Sequence, residues 1–150
     1  MQTLSNGHSV HSIGYHVVFC TKYRHKVLTD AVEVELKRVL AEVCALEGWI
    51  LRSMEIMPDH VYLFITNHLT APVDVVKTLK SVSVARVFSA FPKLKGRRFW
   101  GSGLWSRGTY FGSVGHVSEE TVRKYMLKKQ NDDARFHPPP QGEWYSRSFS

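Results

Sequence analysis

An α+β fold of the ferredoxin-like kind is what this sequence predicts, from three observations. Strand-like and helix-like runs alternate in the order β-α-β-β-α-β. A two-residue break between the middle strands forces a hairpin, and the chain of 150 residues suits one core better than two. That order is a split β-α-β sheet, antiparallel, with its helices on one face, the other face available for work, and an extra C-terminal helix after the last strand.

Each element has its own signal. Residues 1 to 12 are polar. YHVVFCTKYR, 15 to 24, is rich in β-branched and aromatic residues and predicts the first strand, which runs out into a basic loop from Lys22 to Lys26. Thr29-Asp30 followed by Glu33 has the form of a capping box; Val32, Leu36, Val39, Leu40, Val43 and Leu46 then recur at helical spacing until Gly48 stops the helix. WILRSMEIM (49 to 57) and HVYLFIT (60 to 66) predict two strands joined across Pro58-Asp59, a connection short enough to require antiparallel pairing. Pro72 opens a second helix, on which Val76, Leu79, Ser83 and Val87 form the buried stripe, Lys77 and Lys80 face outwards, and Pro92 marks the end. GRRFWGSGLWSRGTYFGSVG, 96 to 115, predicts a loop leading to a strand around Tyr110. Ser118 caps a third helix, with Glu119 and Glu120 in its first turn and Lys124, Lys128 and Lys129 further on, as the macrodipole favours. Three consecutive prolines set residues 137 to 150 apart, so the division is one domain over 1–136 and a Pro-rich tail over 137–150.

Composition narrows the partners. Hydrophobic residues make up 43% of the chain, which fits a globular protein. No apolar run approaches the ~20 residues of a membrane span, and the start lacks a signal-peptide pattern, so a cytoplasmic location is expected. Cys20 and Cys44 lie among apolar neighbours and predict buried free thiols rather than a bridge or a metal site. Twenty Lys+Arg against thirteen Asp+Glu give +7, which points to a polyanion, nucleic acid before an anionic membrane.

Two places carry chemistry. In MEIMPDHVYLFI, 54 to 65, the Pro58-Asp59 turn delivers His60 into an apolar strand, and Tyr62 follows on the same side of the pleat. A lone strand histidine is more often a satisfied core group, but this one opens its strand, where a ligand can reach it. In TVRKYMLKKQ, 121 to 130, Tyr125 stands among Arg123, Lys124, Lys128 and Lys129. Positive potential stabilises a phenolate and attracts phosphate, which suits a nucleophile that attacks a phosphodiester; a surface tyrosine on a basic helix is the plainer alternative. Arg97, Arg98 and Arg107 interleave with Phe99, Trp100, Trp105 and Tyr110, pairing phosphate neutralisation with faces on which unpaired bases can stack. Lys22, Arg24, Lys77, Lys80 and Lys124 extend that basic track, while Trp100 and Trp105 equally suit a core or dimer contact.

Taken together, YHVVFCTKYRHKVL, MEIMPDHVYLFI, DVVKTLKSVSVARVF, FWGSGLWSRGTYFGSVG and SEETVRKYMLKKQ resemble, in order and separation, the single-tyrosine HUH transposases of the insertion-sequence 200/605 family and their REP-associated relatives. The resemblance spans about residues 13 to 133. It implies a dimer with active sites shared between subunits, single-stranded DNA with hairpins near element ends as substrate, and Mg2+ or Mn2+ as cofactor. It also implies strand cleavage and rejoining through a 5′-phosphotyrosine link, without ATP. By position Tyr125 is the nucleophile and His60 the first HUH histidine, while Tyr62 stands where the second histidine belongs.

The chain departs from the pattern at two inferred ligands. A phenol with a pKa near ~10 is a poor replacement for neutral imidazole. The family's third ligand, a Gln or Asn, falls here on Lys129; the nearest amide, Gln130, lies roughly 140° from Tyr125 around the helix. Three accounts stay open: a descendant whose DNA binding outlived its cleavage, a shifted site in which Gln130 ligates with help from Asp59 or His116, or a one-residue offset that makes Gln130 the true equivalent. The functional alternative is accordingly a catalytically weakened or inactive descendant that binds single-stranded or hairpin DNA without cleavage.

Overall fold

The computed structural model describes residues 13–99, 103–113, 120 and 123–128, with the side chains of 13, 97, 98 and 113 left aside. Four strands, β1 (Ile13–Cys20), β2 (Ile50–Met57), β3 (His60–Asn67) and β4 (Tyr110–Ser113), form one sheet in the order β2-β3-β1-β4. All three pairings are antiparallel. Two long helices, α1 (Asp30–Glu47) and α2 (Pro72–Ala90), connect β1 to β2 and follow β3. This is the ferredoxin-like order that the sequence predicts. Residues 120 and 123–128 are helical; the proposed Ser118 cap and the Pro-rich tail lie outside the described residues.

Alternation of side chains along the strands sorts the sheet into two faces. Tyr15, Val17 and Phe19 of β1 and Val61, Leu63 and Ile65 of β3 share one core with Leu36, Val39, Leu40 and Val43 of α1 and Val75, Val76, Leu79 and Val87 of α2. The amphipathic stripes drive this packing, because each fully buried aliphatic side chain contributes about 1.5–3 kcal/mol. Leu46 departs from the predicted stripe: at the last turn of α1 it is 77% exposed. Helix α1 closes where Gly48 takes φ 81°, its N–H bonding Ala45 O and the Trp49 N–H bonding Cys44 O. That pair is a Schellman arrangement, and it turns buried Trp49 into the start of β2. At the other end Thr29 makes no side-chain cap, and Glu33 instead pairs with Lys37 at 3.2 Å.

The first strand is shorter than its composition predicts. Pairing ends at Cys20, and Lys22–Arg24 forms a 3-10 turn in which Tyr23 (φ 59°) and Arg24 (φ 54°) are both left-handed. Two such residues in sequence are strained, at about 1–3 kcal/mol each, and persist only where the surroundings hold them. The second face is also less open than predicted: on β1, His16, Val18 and Cys20 are all buried. Both cysteines are free and buried, as predicted. Among the described residues no helix is long and apolar enough to cross a membrane.

Candidate functional site

The strand register lines up the second face in rows. Glu55, Tyr62, Val18 and Tyr110 form one row across β2, β3, β1 and β4; Met57, His60 and Cys20 form the row on one side, and Ser53, Phe64, His16 and Gly112 the row on the other. His60 therefore opens a central strand, not an edge strand. The Tyr125 ring sits 6.0 Å from that of Tyr110, centroid to centroid. This brings the predicted nucleophile to the same face and row as Tyr62, with two strand spacings, or ~10 Å, between Tyr110 and Tyr62. The Tyr125 phenol oxygen is shielded from solvent, and Met126 beside it is buried.

His60 is held from behind. Its Nδ1 lies 2.9 Å from Asp59 Oδ1, while Asp59 Oδ2 accepts from Arg24 Nε at 3.1 Å and Nη2 at 3.0 Å. The turn that carries Asp59 is itself tied down: its carbonyl accepts from Thr21 N–H at 3.0 Å, and Pro58 O accepts from Leu28 N–H at 2.9 Å. Burial alone would raise the Asp59 carboxyl, but hydrogen bonds from His60 and Arg24 outweigh it and hold the group below the ordinary carboxylate range. Both oxygens of Asp59 thus already carry hydrogen-bond partners. Arg24, expected in the basic track, is half-buried and places two of its guanidinium nitrogens on this carboxylate.

Tyr62 faces a different partner. Its phenol oxygen lies 2.5 Å from His16 Nδ1, and the two rings stack at 5.6 Å; His16 in turn stacks on Phe64 at 4.7 Å. Because His16 pairs with Phe64 and not with His60, the phenol leans along β3 away from His60. The two strand positions therefore do not converge on one point, and the described residues do not fit a two-imidazole metal centre. Among the described residues no three His, Cys, Asp or Glu side chains cluster for a metal. Gln130, Lys129 and His116 lie outside the described residues. His16 escapes the motif reading altogether; the signal for it is the alternation in YHVVF, which sets its imidazole on the same face as Tyr62.

Some of the residues expected to contact DNA make structural contacts. Trp105 is buried, packs edge-on against Phe19 at 4.7 Å, and donates its indole N–H to Ser83 Oγ at 2.9 Å. Phe99 is wholly buried as well. Lys80 is half-buried, and its ammonium donates to the carbonyls of Ser106 at 3.2 Å and Gly108 at 2.6 Å, fastening the loop before β4 to α2. Lys77 and Arg107 are exposed, Lys22 is half-buried, and exposed Lys124 pairs with Glu120 at 3.6 Å. The side chains of Arg97 and Arg98, and Trp100 entirely, lie outside the described residues.

Known proteins match this chain closely. ISDra2 transposase TnpA of Deinococcus radiodurans is 38% identical over 125 residues, covering 82% of this chain and 87% of its own. A crystal structure from Deinococcus radiodurans R1, of a protein described as a transposase, superposes with a TM-score of 0.69 at 36% identity, covering 87% of this chain and 97% of that one. A REP-associated tyrosine transposase bound to a REP hairpin shares the fold, with a TM-score of 0.52 at 9% identity over 91% of this chain and 75% of that one. Residues 9–129 match the family described as Transposase IS200 like, so the chain belongs to the IS200-like transposases.

Proposed function

We propose that the protein cleaves and rejoins single-stranded DNA in transposition, with Tyr125 as nucleophile. The observation that supports this most is the meeting of Tyr125 with Tyr110 on the sheet face that also carries His60, within the segment matched to the transposase family. In the step proposed, Tyr125 Oη attacks the phosphorus of one phosphodiester, the P–O3′ bond breaks, and the departing oxygen takes a proton to become a 3′-hydroxyl. The phenol proton passes to solvent, and a 5′-phosphotyrosine remains, so the reverse attack by another 3′-hydroxyl rejoins strands without further energy. His60 opens a central strand on this face with its Nδ1 toward Asp59, and its Nε2 lone pair would hold a divalent ion that in turn binds the scissile phosphate. The shielded phenol oxygen must become accessible before it can attack. Hairpin-bearing element ends are the proposed substrate, by analogy with the hairpin-bound relative, and a homodimer is the proposed assembly.

No step is assigned to Mg2+ or Mn2+, because Tyr62 is committed to His16. That same observation favours a second reading, a descendant that binds single-stranded or hairpin DNA and no longer cuts it. The two separate in one experiment: the protein is incubated with Mn2+ or Mg2+ and single-stranded oligonucleotides tiling the DNA that flanks its own gene, then resolved on a denaturing gel. A slow-migrating covalent species, absent for Tyr125→Phe, supports cleavage. Salt-sensitive binding with no covalent species for the unaltered protein favours the second reading.

A further inference from the structure

We infer that Asp59, clamped by Arg24, is the positioning residue for His60: it fixes the imidazole with its proton on Nδ1 and leaves Nε2 as the working nitrogen. This deepens the cleavage reading and rests on it for the identity of the reaction, though not for the geometry.

A buried carboxylate cannot donate, so the 2.9 Å contact between Asp59 Oδ1 and His60 Nδ1 requires the hydrogen to sit on that nitrogen. Histidines that ligate metal commonly have their other nitrogen tied to a carboxylate in this way, which sets both tautomer and ring orientation. The carboxylate is held at both oxygens, with Arg24 Nε and Nη2 converging on Oδ2 at 3.1 and 3.0 Å while Oδ1 faces His60. Asp59 is 6% exposed, and its backbone carbonyl accepts from the N–H of Thr21.

A second, independent observation comes from the backbone. Arg24 reaches Asp59 from a turn in which it and Tyr23 both adopt positive φ, a conformation that side-chain-bearing residues avoid. Strain of this kind collects where a side chain must be delivered to a fixed place. Here the strained turn delivers the guanidinium to the far side of the carboxylate that orients His60.

The test is nitrogen-15 NMR of histidine side chains in the full chain at a pH where the imidazoles are neutral, with no DNA present. The unaltered protein is expected to hold His60 in the Nδ1–H form. Asp59→Ala should move it toward the Nε2–H form that free histidine prefers, and should slow adduct formation on the flanking-DNA oligonucleotides about tenfold to a hundredfold. Arg24→Gln, which keeps the carboxylate, serves if Asp59→Ala does not fold, and should give a mixture of the two forms with a smaller loss. An Nε2–H form in the unaltered protein overturns the proposal. So does an unchanged tautomer in both variants, or a lost tautomer with an undiminished adduct rate. An intact, Asp59-dependent tautomer in a protein that forms no adduct supports the positioning and counts against cleavage alone.

Discussion

At the scale of single residues, Tyr62 decides how the strand site differs from a pair of imidazoles. Its phenol reaches along β3 to His16, and a shorter imidazole at that position cannot make the same bond. Tyr62→His should therefore leave His60 with a neighbour able to bind a common ion, and raise Mn2+ affinity by about tenfold or more, read from paramagnetic broadening of histidine resonances. Unchanged affinity would mean that position 62 does not limit ion binding. His60, Tyr62 and Tyr125 stand out in the sequence as chemistry-bearing side chains, but the roles expected of them come from the family resemblance, since spacing alone leaves a core histidine and a surface tyrosine equally open. His16 and the double role of Asp59 were not legible, since both depend on which side chains a strand register brings together across dozens of residues. Trp105, which the sequence leaves open between a stacking platform and a core contact, takes the second: its indole packs on Phe19 and bonds Ser83. Trp105→Ala should lower unfolding free energy by about 3–5 kcal/mol, with denaturant titration as the measure. A surface stacking residue would cost little.

At the scale of elements, the periodicities were the reliable part. The stripe on α2 from Val76 to Val87 is buried as spaced, and the Pro58-Asp59 hairpin pairs as its length demands. Element ends were less legible: strand-like composition runs on to Arg24, whereas pairing ends at Cys20 and the expected basic loop opens with a strained 3-10 turn that carries Arg24 to Asp59. Lys80 was read as solvated because its helix position lies beside the stripe, whereas the carbonyls of Ser106 and Gly108 arrive from a loop that no periodicity describes. The helix bearing Tyr125 meets the sheet at Tyr110, and that ring pair contributes about 0.5–1.5 kcal/mol. Tyr110→Ala should accordingly speed amide exchange across 123–128 by roughly two- to tenfold. No change there would detach the tyrosine helix from β4.

At the scale of the whole molecule, one core between the sheet and two helices holds the site, and the groups buried in it set a limit at high pH. Burial pushes the Tyr15 phenol up to about 12 from 10.0, against the opposing hydrogen bond from Asn67, and the Cys44 thiol up to about 11 from 9.0. Both groups fold more readily when neutral. Their contribution is therefore complete below pH 9, where even the unfolded chain keeps them protonated, and drains away as pH rises through 11 to 12. Urea midpoints should hold near pH 8 and fall steadily above pH 9, and Cys44→Ser with Tyr15→Phe should flatten that fall. The net charge of +7 adds a long-range attraction for DNA that weakens with salt and does not depend on any one residue.

The central claim is that the phenol oxygen of Tyr125 becomes covalently joined to a DNA 5′-phosphate. Peptide mapping of the species trapped with flanking-DNA oligonucleotides tests it directly. The account predicts a phosphonucleotide mass on the peptide containing Tyr125 and a free 3′-hydroxyl on the released strand; a modification on any other residue, or cleavage that proceeds with no covalent protein, would contradict it.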